Sequence, residues 1–153
     1  DIGDPINIIQ HPRGELKQIC FRNNKVEAFP DQPASEGFLH YTTDTEPGSS
    51  GSPCCNDQWE LIALHRSGVP RIVDGLVRKR DGTPWVRDQD SILLIDWIAN
   101  EGLRISHLVE CLQSATLQPE FRDRRDQMLH ADPPTPIQRP RPAPPPPPGA
   151  PPP

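Results

Sequence analysis

A glycine- and serine-rich segment, residues 48–53 with the sequence GSSGSP, contains the side chain best suited to covalent chemistry. A serine hydroxyl becomes an effective nucleophile when a base removes its proton and hydrogen-bond donors stabilise the oxyanion that forms. Gly48 lets the chain turn so that its N–H and that of Ser50 can point at one spot. Two converging backbone donors make an oxyanion hole, and losing one typically costs ~3 kcal/mol of transition-state stabilisation. The alternative is a plain loop between two strands.

The neighbouring residues carry a family resemblance. Residues 41–53 (YTTDTEPGSSGSP) and 59–68 (WELIALHRSG) resemble the glutamyl-endopeptidase-like branch of the trypsin-like serine peptidases. In that branch the nucleophile lies in a G-x-S-G-S-P motif, and a short strand pair follows that ends in an I-x-L/I-H-x-x-G segment. Residues 8–14 (IIQHPRG) resemble the first strand and turn of the family's second barrel, and residues 100–104 (NEGLR) resemble the start of its C-terminal helix. The resemblance covers about residues 3 to 114 in the family's order.

The resemblance implies catalytic and substrate-binding roles. Ser50 would attack the scissile carbonyl, and Gly48 and Ser50 would supply the oxyanion N–H groups. The backbone of Arg66, Ser67 and Gly68 would pair with an extended peptide or protein substrate.

Three further positions would line the pocket for the side chain before the scissile bond. In glutamyl endopeptidases a threonine and a histidine hold a substrate carboxylate, and Thr45 and His65 fall on those positions. A hydroxyl and an imidazolium are suitable donors to an anion. Asp44 falls where trypsin carries the aspartate that binds Arg or Lys, so it would repel a Glu substrate and could pair with His65. Three alternatives for the residue before the scissile bond therefore stay open: a preference for acidic residues, a preference for basic residues, and neither. A purely structural His65, buried and hydrogen-bonded to Asp44 or to a hydroxyl, also stays open.

The activating residues are not evident in this chain. A chymotrypsin-type triad runs His, Asp, Ser, and both partners of the serine lie roughly 90 to 140 residues before it, in the first barrel. Only 49 residues precede Ser50 here. His11 lies in a turn that the family uses as scaffold, and His40 immediately precedes Tyr41, a strand residue. We therefore expect the chain to lack the first barrel of the same precursor, the catalytic His and Asp, and activity on its own.

Apolar stretches and turn residues alternate at intervals of about 8 to 12 residues, which is typical of an antiparallel barrel or sandwich. With the resemblance, the expected fold class is all-β: the second six-stranded antiparallel β-barrel of a trypsin-like double barrel, with a C-terminal α-helix. Asn23 and Asn24 predict a hairpin turn, and residues 70–90 a long hairpin or surface insertion. Asn100 is expected to cap a helix that runs from about Glu101 to Ser114. The strand candidates are residues 6–9, 16–21, 26–29, 38–43, 59–65 and 92–98.

The composition divides the chain into three parts. Residues 1–115 would form the barrel and helix, and residues 116–131 a charged linker or short helix. Residues 132–153 would form a disordered tail, because thirteen of these 22 residues are proline and such segments favour solvated polyproline II. The tail is either a spacer or a docking site for a domain that binds proline-rich motifs.

The remaining features of the composition bound the function. A net charge of −5 argues against a general nucleic-acid binder, and no apolar run approaches the ~18 residues that span a bilayer. The histidines and four cysteines show no metal-binding spacing, so we expect no metal, no cofactor and free thiols. The compartment, secreted or cytoplasmic, stays open. Two other functions compete with the peptidase: a catalytically dead trypsin-like binding module and a proline-rich interaction scaffold.

Overall fold

A computed structural model describes residues 1–30 and 35–130. The chain divides into a unit that covers Asp1–Thr116 and a second unit that begins at Leu117. The predicted proline-rich tail at 132–153 lies outside the described residues. The strands and helices, in chain order, are β1 (Asn7–Gln10), β2 (Gln18–Cys20), β3 (Lys25–Ala28), β4 (Phe38–Thr42), β5 (Pro53–Cys55), β6 (Leu61–Pro70), β7 (Ile72–Val73), β8 (Leu76–Val77), β9 (Trp97–Arg104), α1 (Ile105–Ser114) and α2 (Pro119–Leu129).

One antiparallel sheet, with the strand order β2-β1-β5-β6-β9-β4-β3, forms most of the first unit. Its two edge strands, β2 and β3, are consecutive in the chain. β3 also pairs with the residues just before β1: Pro5 lies opposite Lys25, and the Gly3 N–H donates to the Val26 carbonyl at 2.8 Å. The sheet therefore curls until its two edges meet, and the all-β barrel class is confirmed.

The sheet has seven strands where six were expected, because the second strand of the barrel is broken into β2 and β3. Ile8 lies opposite Cys20 and Pro5 opposite Lys25, so three steps along one strand match five along the other. The two extra residues bulge out around Asn23, whose φ of 56° is left-handed. Asn tolerates that conformation better than most residues. The predicted hairpin at Asn23–Asn24 is therefore wrong: β2 and β3 do not pair with each other, and the chain continues from one sheet edge to the other.

The C-terminal elements also differ from the prediction. A 3-10 turn at Ile92–Leu94 replaces the expected strand, β9 begins at Trp97, and α1 begins only at Ile105. Asn100 is not a helix cap, because it lies inside β9 between Gly68 of β6 and Tyr41 of β4. Pairing on both sides of β9 overrides the local helix signals of residues 100–104, as tertiary context often does.

Gly102 shows how closely the strands approach at the centre of the sheet. A Cβ at this position would lie 3.1 Å from the Ala63 Cβ and 3.4 Å from Tyr41 Cε1. The strand centre therefore needs a residue without a side chain. The core beneath it is small and apolar and consists of Ile6, Ile8, Leu39, Tyr41, Cys54 and Ala63.

The outer elements are simple. The predicted hairpin within residues 70–90 is present as the two-stranded sheet of β7 and β8. α1 packs on β6 and β9 with half-buried Leu108, Val109 and Leu112. Among the described residues, no helix combines the length and the apolar character needed to cross a membrane.

Candidate active site

The segment between β4 and β5 carries the predicted nucleophile at the surface. Ser50 is exposed, and its hydroxyl donates to the Arg66 carbonyl oxygen at 3.2 Å. Just after Ser50 the loop is bonded to β6: the Gly51 N–H donates to the His65 carbonyl at 2.8 Å, and the His65 N–H donates to the Ser52 carbonyl at 2.9 Å. The loop is thus fixed against the strand that contains His65 and the predicted substrate-pairing residues 66–68.

The turn at Gly48 is built against a second turn. Gly48 has a φ of 101°, and a Cβ on it would lie 3.2 Å from the Arg13 backbone nitrogen and 3.3 Å from the His11 carbonyl oxygen. The Arg13 N–H donates to the Pro47 carbonyl at 2.7 Å. Because both the φ and the close backbone contact exclude a side chain, glycine is required at this position.

The backbone donors of the loop fall into two groups. The N–H groups of Ser49, Gly51 and Ser52 donate to the carbonyls of Glu46, His65 and Ser49 respectively. Within the described ranges, no backbone carbonyl accepts a bond from the N–H of Gly48 or Ser50. These two N–H groups, on either side of a buried Ser49, are therefore available to an acceptor that is not part of the described chain.

β6 offers an open edge next to Ser50. On one side, Ser67 and Gly68 pair with β9. On the other side, the ladder with β5 ends at Leu64 and the last backbone bonds are those of His65 to Gly51 and Ser52. Within the described residues no strand pairs with this side of residues 66–68, so an added strand can pair there. The ring of Trp97 covers Gly68, since a Cβ there would lie 2.6 Å from Trp97 Cε3.

His65 is buried at 6% exposure in a chain of hydrogen bonds. Its Nδ1 lies 2.7 Å from the Tyr41 hydroxyl, and the Cys54 thiol donates to that hydroxyl over 3.3 Å. Burial raises the pKa of Cys54 to about 11 and the pKa of Tyr41 well above its usual range, and it lowers the pKa of His65. All three groups are therefore neutral at pH 7. If Cys54 donates to Tyr41 and Tyr41 donates to Nδ1, the imidazole hydrogen resides on Nε2.

Within the described residues, neither the Thr45 hydroxyl nor the Asp44 carboxylate forms a hydrogen bond or ion pair with His65. The Thr45 hydroxyl donates to Asn100 Oδ1, and Asn100 Nδ2 donates to the Thr43 carbonyl at 2.8 Å. The Asp44 side chain is exposed, and in the described part of the chain no ion pair joins it to His65. The alternative of an Asp44–His65 pair is therefore not observed, and the hydroxyl that satisfies His65 belongs to Tyr41.

Sequence reasoning missed three residues of this site. Tyr41, Cys54 and Asn100 hold His65 and Thr45 in place. Asn100 was interpreted as a helix cap, and the other two had only their strand positions as a signal. No local pattern identifies them, because each contacts a residue that lies between 13 and 57 positions away in the chain.

The histidines upstream of Ser50 are engaged elsewhere. His11 Nδ1 lies 3.0 Å from the Glu15 carbonyl oxygen, and His40 Nε2 lies 3.3 Å from Glu101 Oε2. Glu101 also accepts from Arg66 Nη1 at 2.6 Å. In residues 1–30 and 35–130, no three or more His, Cys, Asp or Glu side chains are grouped to hold a metal ion.

The two loop glycines provide a matched test of the turn. Both are left-handed, with φ of 101° at Gly48 and 83° at Gly51, so an alanine at either costs about 1–2 kcal/mol. Only at Gly48 would the new Cβ also press on backbone atoms, since nothing lies within 4 Å at Gly51. We expect Gly48→Ala to lower the free energy of unfolding by about 1 kcal/mol more than Gly51→Ala does, as measured by urea denaturation. Equal losses would contradict the role assigned to the contact with Arg13.

Burial of His65 predicts a pH dependence of stability. Because its pKa is lowered in the folded chain, the unfolded chain binds more protons below the ordinary histidine pKa of ~6.5. Stability from this group is therefore complete above that pKa and is lost as the pH falls towards the lowered value. Urea midpoints at pH 7.5, 6.5 and 5.5 should fall less steeply in His65→Gln than in the wild type. The control is His11→Gln, at an exposed histidine, which should keep the wild-type dependence of the urea midpoint on pH. An unchanged pH dependence of the urea midpoint in His65→Gln would refute the assignment.

Comparisons with known proteins agree with this geometry. Residues 1–64 match the trypsin-like peptidase domain family. This range includes β1 to β5 and the whole segment between β4 and β5, residues 43–52, which we call the nucleophile loop. The chain is also 35% identical, over 130 residues, to the uncharacterized protein y4fB of Sinorhizobium fredii (strain NBRC 101917 / NGR234). That alignment covers 79% of this chain and 20% of the relative, so the chain spans about a fifth of that protein's length. Together with the closed antiparallel sheet, the family match shows that this chain has the fold of the trypsin-like serine peptidases.

Proposed function

We propose that the chain is the nucleophile-bearing half of a serine endopeptidase. Ser50 attacks the scissile carbonyl, and the N–H groups of Gly48 and Ser50 bind the oxyanion. The observation that carries this proposal is the pair of backbone donors beside an exposed hydroxyl, neither of which donates to a backbone carbonyl in the described chain. Because Gly48 and Ser50 are both exposed, an oxyanion can reach these two donors in place of water.

The reaction needs a base that the described residues do not place at Ser50. The hydroxyl donates to the Arg66 carbonyl, an amide oxygen that is too weakly basic to take the proton. In the serine peptidase mechanism a histidine removes the proton as the acyl-enzyme forms and returns it to the leaving amine. We propose that this histidine and its aspartate come from the first barrel of the same precursor, and that this chain alone does not hydrolyse peptides.

Substrate binding would extend the sheet. An extended peptide would pair with the open edge of Arg66–Gly68, with its scissile carbonyl near Ser50. Main-chain bonds of this kind orient a substrate independently of most of its side chains. The peptide or protein substrate is thereby held in the geometry that attack requires.

We propose that the preferred residue before the scissile bond is acidic. Where Tyr41 donates to Nδ1 across their 2.7 Å contact, His65 keeps an Nε2–H as a donor, and a carboxylate is the strongest acceptor that a substrate side chain provides. Asp44 is exposed and forms no ion pair with this imidazole among the described residues, so its carboxylate does not take the place of a substrate carboxylate on His65. Thr45 would assist after its hydroxyl exchanges Asn100 for the substrate.

A second candidate is a catalytically inactive binding module that uses the same open edge of β6. It is favoured by one observation: His11 and His40 both have partners other than Ser50. The open edge of β6 would then bind extended peptides without cleaving them. The third candidate, an interaction scaffold, rests on the proline-rich residues 132–153, which lie outside the described residues.

Fluorophosphonate labelling tests the nucleophile. The isolated chain should react only at background rate, because Ser50 lacks a base. In a longer form of the polypeptide that carries the first barrel, we expect stoichiometric labelling at Ser50, detected by mass spectrometry of the labelled peptide. Ser50→Ala should abolish labelling, while Ser114→Ala, a change at an exposed serine of α1, should not. A longer form that binds peptides but resists the probe would support the inactive module, and rapid labelling of the isolated chain would contradict the missing base.

Product-like peptides test the specificity without catalysis. N-acetyl-Ala-Ala-Glu should bind the isolated chain on the order of tenfold more tightly than N-acetyl-Ala-Ala-Lys, which is about the worth of one charge-assisted hydrogen bond. Amide shifts of Gly48, Ser50 and Gly68 in NMR titrations report the affinity and the site. His65→Gln should reduce the preference, and His40→Gln should retain it. Tighter binding of the lysine peptide would instead establish basic specificity.

A further inference from the structure

One face of α1 groups a nucleophile, an imidazole and a carboxylate away from the candidate active site. His107, Glu110 and Cys111 lie three and four residues apart, the spacing that brings side chains together on a helix. His107 Nε2 lies 3.5 Å from Cys111 Sγ, and His107 Nδ1 lies 3.8 Å from Glu110 Oε2. In the tautomer that carries its hydrogen on Nδ1, on the side of the carboxylate, the Nε2 lone pair faces the thiol.

The imidazole of this group is held in place by the barrel. Gly37, just before β4, has a φ of 86°, and a Cβ on it would lie 2.2 Å from Cδ2 and 2.3 Å from Cγ of His107. The missing side chain of Gly37 therefore makes room for the ring. A ring that is packed against backbone retains its position relative to Cys111, as a base requires.

The four cysteines of the chain differ in accessibility. Cys54 and Cys55 are buried, Cys20 is half-buried, and Cys111 is exposed. Burial raises the pKa of both Cys54 and Cys55, which makes their thiolates scarce as well as inaccessible. Cys20 Sγ lies 3.3 Å from Gln10 Nε2, an amide that cannot accept a proton. In the described part of the chain, Cys111 alone combines exposure with a neighbouring imidazole.

We propose that Cys111 is a modification site that forms mixed disulfides with low-molecular-weight disulfides, with His107 as its base. His107 Nε2 takes the proton of the thiol, and the thiolate attacks one sulfur of the disulfide. The bond from Cys111 Sγ to that sulfur forms as the S–S bond of the reagent breaks. The departing thiolate takes up the proton, so that one thiol and one disulfide are exchanged for a mixed disulfide and a free thiol.

The reaction of the folded chain with oxidised glutathione at pH 7 tests this proposal. Peptide mapping by mass spectrometry should place the first adduct on Cys111, with Cys20 slower and Cys54 and Cys55 unmodified. His107→Gln should slow the modification of Cys111 by at least about tenfold, since a positioned base accelerates a reaction by this much or more. Glu110→Gln should slow it less, because it leaves the imidazole in place.

Two controls separate the base from mere exposure. His130 lies outside α1, so His130→Gln should leave the rate of Cys111 modification unchanged. In denaturant, where the imidazole no longer adjoins the thiol, the wild-type Cys111 should react more slowly than in the folded chain. The proposal is overturned if the folded and unfolded rates are equal, or if a folded His107→Gln variant retains the wild-type rate. If Cys54 and Cys55 stay unmodified by oxidised glutathione, the variant is folded. The comparison of folded and denatured wild-type chain needs no variant at all.

Discussion

The buried hydroxyl of Tyr41 links the barrel core to the candidate active site. It bonds to Cys54 on one side and to His65 on the other, and so it connects β4, β5 and β6. The nucleophile loop leaves β4 just after Tyr41 and returns in β5 just before Cys54. A hydrogen bond in a low-dielectric core is strong, and its members are costly to leave unpaired. The two hydrogen bonds of the Tyr41 hydroxyl therefore hold both ends of the loop, and the bond to Nδ1 favours one tautomer of His65.

From this anchor the loop geometry follows in short steps. His65 receives the Gly51 N–H on its carbonyl and donates its own N–H to Ser52, which brings Ser50 next to Arg66. The turn at residues 11–14 supports the opposite side of the loop through the Pro47 carbonyl and the backbone contact with Gly48. In this doubly supported loop, no backbone carbonyl of the described residues accepts a bond from the N–H of Gly48 or Ser50. Preorganised donors of this kind are what an oxyanion hole requires.

The sequence predicted the parts of the molecule that depend on neighbouring residues. Apolar stretches separated by turn residues indicated most of the strands, and the glycines and serines of 48–53 indicated an irregular loop. The errors came where distant strands decide. Asn23 and Asn24 have a turn-like composition, yet they form a bulge because the broken strand must pair with both edges of the barrel. Asn100 has the composition of a helix cap, yet β4 and β6 pair with it on both sides.

The sequence by itself determined the chemistry available: one serine in a loop whose glycines allow left-handed turns, a histidine fifteen residues later, and a nearby threonine. These follow from residue type and short spacing, which local sterics govern. Only the tertiary structure decided how they are used. Tyr41 rather than Asp44 satisfies His65, Asn100 engages Thr45, and two backbone N–H groups of the loop have no backbone acceptor within residues 1–30 and 35–130. Such pairings depend on barrel closure, which brings together residues up to 57 positions apart, and no local pattern encodes that distance.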